Sequence, residues 1–174
     1  MAAVTAVGFL YLVGAYGVEF FTIPSGSMVP TLLPDDSVLV NRFIYHVRSP
    51  RRGDIVVFHF PQADGRDFIK RVIGLPGDVV EEQDGRFRVN GLPIQDPWVR
   101  PPCAGLGAVP SMPARRVPDD QVFVLGDNRE ASLDSRYWGT VDARHIIGKA
   151  VMVCWSRGAH WWDIRWRRIG RWLP

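Results

Sequence analysis

Short runs of β-branched and aromatic residues, each closed by a turn signal, restrict this chain to antiparallel β structure. Ser37-Val38-Leu39-Val40-Asn41, Ile55-Val56-Val57-Phe58-His59-Phe60 and Gln121-Val122-Phe123-Val124-Leu125 all read as strands, with the charged loop 48–53 between the first two. Asp84-Gly85 and Asn90-Gly91 are hairpin turns bracketing Arg86-Phe87-Arg88-Val89, so residues 79–94 form a small meander. Six prolines between 97 and 118 make that stretch a loop and extend the smaller β unit to 79–118. The fold class is therefore mainly β, and no internal repeat or low-complexity segment interrupts it.

Ahead of the strands, residues 1–18 carry no charged side chain, and after Glu19 the apolar character continues through Phe20, Phe21 and Ile23. About 20 such residues span a bilayer as a helix. No basic segment precedes the run, which argues for an uncleaved anchor over residues 1–22 and against a removable targeting peptide. A buried core helix fits less well, because the run is apolar all round and rich in small residues.

The remaining chain divides into a folded unit, 23–156, and a tail, 157–174. Hydrophobic residues make up 47% of the sequence, enough for a core in a chain of 174 residues. Arg157, Arg165, Arg167, Arg168 and Arg171 against Asp163 put four net positive charges in the last eighteen residues, more than the +3 of the whole chain. The body is slightly acidic, which excludes a nucleic-acid-binding domain with a basic face. Tryptophan alternating with arginine in the tail suits the headgroup region of a phospholipid bilayer; aromatics packed on the domain are the other reading. Cys103 and Cys154 have no zinc-ligand spacing, and a buried Cys154 thiol is favoured over a bridge. No metal or other cofactor is expected.

Chemistry concentrates around Pro24-Ser25-Gly26-Ser27-Met28-Val29-Pro30. Gly26 allows a tight turn and places Ser27 as a candidate nucleophile, which needs a base. Of 21 basic residues nineteen are arginine, and the lysines are Lys70 and Lys149. Arginine does not deprotonate in proteins, whereas a buried lysine does so near neutral pH. Lys70 shares a strand face with Phe68 and Val72, neighbours that disfavour its ammonium form. A serine-histidine reading would use His59 as base and Asp54 or Asp127 to orient it, but nothing flanking His59 marks a site. Lys149 is assigned to solvent or lipid headgroups.

Four blocks, Pro24-Ser25-Gly26-Ser27-Met28, Arg52-Gly53-Asp54-Ile55-Val56-Val57-Phe58, Ile69-Lys70-Arg71-Val72-Ile73-Gly74-Leu75-Pro76-Gly77-Asp78 and Gly126-Asp127-Asn128-Arg129 through Asp134-Ser135-Arg136-Tyr137-Trp138-Gly139, resemble the boxes of bacterial type I signal peptidases, in the family's order. The resemblance covers about residues 20–156 and thins near 95–117. It implies a membrane-bound endopeptidase with Ser27 as nucleophile and Lys70 as general base, working through an acyl-enzyme. It also implies an oxyanion site made by the Ser27 N–H and the Ser25 hydroxyl, and a Ser132 hydroxyl bonded to the lysine amine. Asp127 and an Asp134–Arg136 ion pair would support the site. Phe21, Ile23, Met28, Leu32, Val38, Val57, Phe68 and Ile69 would line shallow pockets for small side chains, though each is equally suited to a core. The implied substrates are secretory preproteins with small residues before the cut, and the implied location is the bacterial cytoplasmic membrane with the catalytic domain outside. A specialised processing peptidase of a conjugation or pilus system, a self-cleaving repressor and a non-catalytic tethered binding domain are the alternatives; the repressor's DNA-binding segment is replaced here by the apolar run.

Overall fold

The computed structural model describes residues 17–60, 65–83, 85–99, 112–158, 160 and 162–174. Eleven strands fall within them: β1 (Val18–Thr22), β2 (Asp36–Asn41), β3 (Ile55–His59), β4 (Asp67–Gly74), β5 (Val79–Gln83), β6 (Arg86–Val89), β7 (Leu92–Pro93), β8 (Arg115–Arg116), β9 (Gln121–Leu125), β10 (Val141–Asp142) and β11 (Ile146–Ser156). Two short helices, α1 (Ile44–Val47) and α2 (Ser135–Trp138), sit between strands.

The strands form a seven-stranded sheet in the order β1-β2-β11-β3-β4-β9-β10 and a four-stranded sheet in the order β7-β6-β5-β8. Every pairing is antiparallel. β6 alternates exposed arginine with buried Phe87 and Val89, as a strand with one face on the core must. Asn90 and Gly91 both have positive φ at the turn into β7, the conformation that this dipeptide favours. Ile55–Phe58 of β3 are all buried, which accounts for their unbroken apolar run in mid-sheet. Two register shifts in β11 against β2 bend this long strand, which also pairs with β3.

Three apolar clusters hold the layers together. Ile23, Met28, Leu32, Val38, Val57 and Ile69 belong to the first; Phe87 and Val89 of the small sheet meet Ile73 and Phe123 of the large one in the second; Val56, Phe58, Val72 and Val124 form part of the third.

Two expectations about the ends change. Residues 18–22, expected to finish a helical anchor, are strand β1, paired with β2 from Val18↔Asn41 to Thr22↔Ser37. Their aromatic and β-branched side chains favour that pairing, and the strand uses the backbone groups that a helix would have used. The earlier part of the expected anchor, residues 1–16, lies outside the described residues. Among the described residues no helix is long and apolar enough to cross a membrane.

The C-terminal stretch is not a free tail. It returns beside β11 through Gly170 N–H to Val153 O (2.8 Å), Val153 N–H to Arg171 O (3.0 Å) and Leu173 N–H to Val151 O (2.9 Å). Leu173 is buried in the first cluster, while Trp162, Trp166 and Trp172 stay exposed.

Candidate active site

Ser27 sits in a single 3-10 turn, Gly26–Met28, on the excursion between β1 and β2. Its position is set from outside the turn: Asn128 donates its backbone N–H to Ser27 O (3.0 Å) and its side-chain amide to Gly26 O (3.0 Å). Gly126 passes so close that a Cβ there would lie 2.5 Å from Ser27 O and against the Ser132 hydroxyl. Glycine is required by that approach rather than by its φ.

Lys70, central in β4, reaches the same turn. Its Nζ donates to Ser27 Oγ at 2.9 Å and to Ile69 O at 3.0 Å, and it lies 5.6 Å from the Phe68 ring centroid. The residue is 3% exposed. Burial pulls its amine down from 10.5 to about 8, with the charges of Asp134 and Asp127 opposing the shift. Ser25 donates its hydroxyl to Ser27 Oγ at 3.3 Å. A base whose amine is drawn down toward neutrality and a second hydroxyl thus both lie within hydrogen-bond reach of the nucleophile, the constellation that acyl transfer needs.

Around this core lies a framework of ion pairs. Arg71, fully buried, donates Nε and Nη2 to the two Asp127 oxygens at 2.8 and 2.7 Å, Nη1 to Gly53 O and Nη2 to Thr31 Oγ1. Trp98 stacks on its guanidinium at 4.4 Å. Asp134 pairs with Arg136 at 2.8 Å and accepts the Gly126 N–H at 3.1 Å. Arg136 also donates to the carbonyls of Arg129 and Ser132, so this pair shapes the whole loop that presses on Ser27. Ser132 Oγ, expected on the lysine amine, is buried and has no hydrogen-bond partner among the described residues.

The other expected residues fall as follows. Ile23, Met28, Leu32, Val38, Val57 and Ile69 are buried members of one core cluster, with Phe21 packed on it half-exposed; Phe68 belongs to a different cluster. His59 is half-exposed and bonded to Asp67 at 3.2 Å, not to Asp54 or Asp127, so the serine-histidine arrangement does not form. Lys149, assigned to solvent or lipid, instead pairs with Asp54 at 2.8 Å and is mostly buried; Arg48 and the Tyr45 hydroxyl bond the same carboxylate. Cys154 is a partly buried free thiol that burial pushes up; Cys103 lies outside the described residues.

Arg71, Asn128 and Thr31 were not singled out from the sequence. An arginine among nineteen carries no signal, even beside Lys70, and Asn128 gains its role only from where folding brings Gly26 and Ser27.

The geometry coincides with a sequence match. A family model described as signal peptidase, peptidase S26, matches residues 1–155. Signal peptidase I of Leptolyngbya laminosa is 41% identical over 168 residues, covering 89% of this chain and 79% of the relative. Signal peptidase IB of Staphylococcus aureus is 36% identical over 159 residues, covering 84% of this chain and 82% of the relative. A crystal structure of a signal peptidase I from Enterococcus faecalis aligns at a TM-score of 0.49 and 32% identity, over 59% of this chain and 97% of that one. With its family model spanning most of the sequence and relatives matched over most of their own length, the chain belongs to the signal peptidase family, peptidase S26.

Proposed function

We propose that this signal peptidase I cleaves through a Ser27/Lys70 dyad. The enzyme is a serine peptidase of the S26 family, and it removes signal peptides. The observation that carries the dyad is the 2.9 Å contact between Lys70 Nζ and Ser27 Oγ, together with an amine drawn down to about 8 by burial.

Neutral Lys70 takes the Ser27 proton as Oγ attacks the carbonyl carbon of the scissile peptide bond. The oxyanion of the tetrahedral intermediate accepts hydrogen bonds from the Ser27 N–H and the Ser25 hydroxyl. Collapse breaks the C–N bond, Lys70 returns its proton to the leaving amine, and the signal peptide stays esterified to Oγ. Water then gives a proton to Lys70 and attacks the ester carbonyl; the C–O bond to Ser27 breaks, Lys70 returns the proton to Oγ, and the signal peptide leaves with a new carboxyl group.

The substrate binds as an extended strand near Ile23 and Phe68, with backbone hydrogen bonds giving affinity and shallow apolar walls favouring small side chains. The uncharged run 1–18 and the exposed tryptophans among tail arginines support a location at a bilayer surface, outside the cytoplasmic membrane. The test is cleavage of an Ala-x-Ala preprotein in detergent-lipid micelles by wild type, Ser27→Ala and Lys70→Arg, with folding followed by circular dichroism. Both variants should fold and fail to cut. A folded, active Lys70→Arg enzyme would remove lysine as the base.

A further inference from the structure

The excursion that carries Ser27 leaves the sheet after Thr22 and rejoins it at Asp36. Two backbone bonds close its neck, Ile23 N–H to Asp36 O at 2.8 Å and Asp35 N–H to Ile23 O at 2.9 Å. Inside the loop, Asn128 fixes the leading side at Gly26 and Ser27. The trailing side is fixed by arginines from the C-terminal segment. Arg168 donates Nη2 to Thr31 O at 2.9 Å, and Arg165 donates Nη1 to Pro34 O at 3.0 Å.

Arg168 is itself held by Asp36, which has no exposed surface. Its Nη2 lies 2.5 Å from Asp36 Oδ2 and its Nε 3.2 Å from Oδ1. Ser156 Oγ at 2.5 Å, the Leu33 N–H at 2.9 Å and, more distantly, Arg165 Nη1 at 3.6 Å also meet this carboxylate, so Arg168 makes the shorter of its two arginine contacts. Thr31 is one residue from Leu32, whose N–H donates to Met28 O at 2.9 Å, and Met28 follows Ser27. A shift at Thr31 therefore reaches the nucleophile through one turn of backbone.

A buried ion pair adds little net stability over well-packed apolar groups, because desolvation offsets much of its Coulomb gain. What this one supplies is geometry: a planar guanidinium with several fixed donors ties a loop carbonyl and a sheet carboxylate to one point. The segment providing it begins beyond residue 155, where the family model's match stops.

We propose that Arg168 is a positioning residue for the peptidase reaction, holding the trailing side of the Ser27 loop in register for attack; this rests on the reading of Ser27 as nucleophile. Strands β1 and β4, beside which the substrate is placed, are not bonded to Arg168. The loss on its removal accordingly falls on kcat rather than KM.

The experiment uses the full chain in detergent-lipid micelles with an Ala-x-Ala preprotein, comparing Arg168→Ala, Arg168→Lys, Arg167→Ala and Ser27→Ala. Arg167 is exposed on the same turn and controls for tail charge. Arg168→Ala should lose on the order of 10²-fold in kcat, as for about 1 Å of misplacement, with KM within about twofold of wild type. Arg168→Lys, which keeps the charge but not the fork, should lose about tenfold, and Arg167→Ala nothing. Free guanidinium ion at millimolar concentration should restore part of the Arg168→Ala rate and leave wild type unchanged. A folded Arg168→Ala enzyme with wild-type kcat, or one whose loss is all in KM, overturns the proposal. If Arg168→Ala does not fold, Arg168→Lys decides, and an unchanged kcat there overturns it equally. A Ser27→Ala enzyme that still cuts defeats the nucleophile reading itself; a dead one beside fully active Arg168 variants defeats the positioning role alone.

Discussion

Lys70 and Arg71, neighbours in β4, grip the same loop with different chemistry: Lys70 Nζ meets Ser27 Oγ at 2.9 Å, and Arg71 Nη2 meets Thr31 Oγ1 at 3.4 Å. One side chain gives up a proton near neutrality and the other never does. Exchanging the two would put a permanent charge beside the nucleophile and a titratable amine against Asp127. The adjacent pair thus separates the work of proton transfer from that of holding the loop.

The first consequence is a pH profile. With the Lys70 amine near 8, the reactive neutral form is the minor one at pH 7 and the major one at pH 9. For a substrate with no group titrating in that range, kcat/KM should rise about tenfold per pH unit below the midpoint and level off above about 8. The measurement is initial rate from pH 6 to 9.5 at constant ionic strength. A flat profile over that range would exclude Lys70 as the base.

The same shift has a cost in stability with a definite sign. A lysine whose amine falls from 10.5 to about 8 on folding takes up a proton on unfolding between those values, so stability rises with pH across that window. Below pH 8 the native state carries the full penalty of a buried ammonium, up to about 3 kcal/mol by the usual conversion. Lys70→Met should therefore be inactive yet more stable than wild type at pH 7, and the gap should narrow by pH 10. Urea unfolding of both proteins at the two pH values checks this. An equally stable or weaker Lys70→Met at pH 7 would show that the amine is not strained by burial.

How much of this was readable beforehand follows from what each residue type signals alone. Alternation in β6 and the Asn90-Gly91 turn are local patterns, and local patterns specify strands and hairpins well. Lys70 stood out because arginine is used almost everywhere else. Arg71 and Arg168 give no such signal for the same reason: an arginine that folding covers, wholly or in part, looks like any of the exposed ones, and covering is decided by distant partners such as Asp127 and Asp36. Val18–Thr22 read as part of an apolar anchor yet form a strand, because aromatic and β-branched residues suit a sheet edge as well as a bilayer. Lys149 reads as a solvent-facing charge because its partner, Asp54, is distant in sequence and meets it only once β11 pairs with β3.

Breaking the Arg71–Asp127 pair should be more damaging than its modest net value suggests. Both side chains are wholly buried, and Asp127→Ala leaves the guanidinium without a counter-charge. Loss of one partner of such a pair costs about 3–5 kcal/mol. The neighbouring Asn128, which holds Ser27 O and Gly26 O, would lose its anchor at the same time. Asp127→Ala should lower the urea midpoint by an amount matching that range and reduce kcat even at temperatures where the protein stays folded. A change below about 1 kcal/mol would mean that water reaches Arg71 once the carboxylate is gone.

Gly126→Ala tests the tightest approach in the site. The added Cβ would stand 2.5 Å from Ser27 O and closer still to the Ser132 hydroxyl, so both must give way. Ser27 O is main chain and is tied to the Asn128 N–H at 3.0 Å. Ser132 is a short side chain on a loop fixed by Arg136, which already holds the Ser132 carbonyl. Neither yields cheaply, and overpacking of this kind costs about 1–3 kcal/mol. A shift of Ser27 by a few tenths of an ångström also lengthens the 2.9 Å contact with Lys70 on which proton transfer depends. The variant should fold with a lowered melting temperature and lose at least about tenfold in kcat. The double variant Gly126→Ala/Ser132→Gly, which clears the hydroxyl, should recover stability more than rate, since the clash with Ser27 O remains. Full recovery of rate in the double variant would place the constraint on Ser132 instead of on the nucleophile's own backbone.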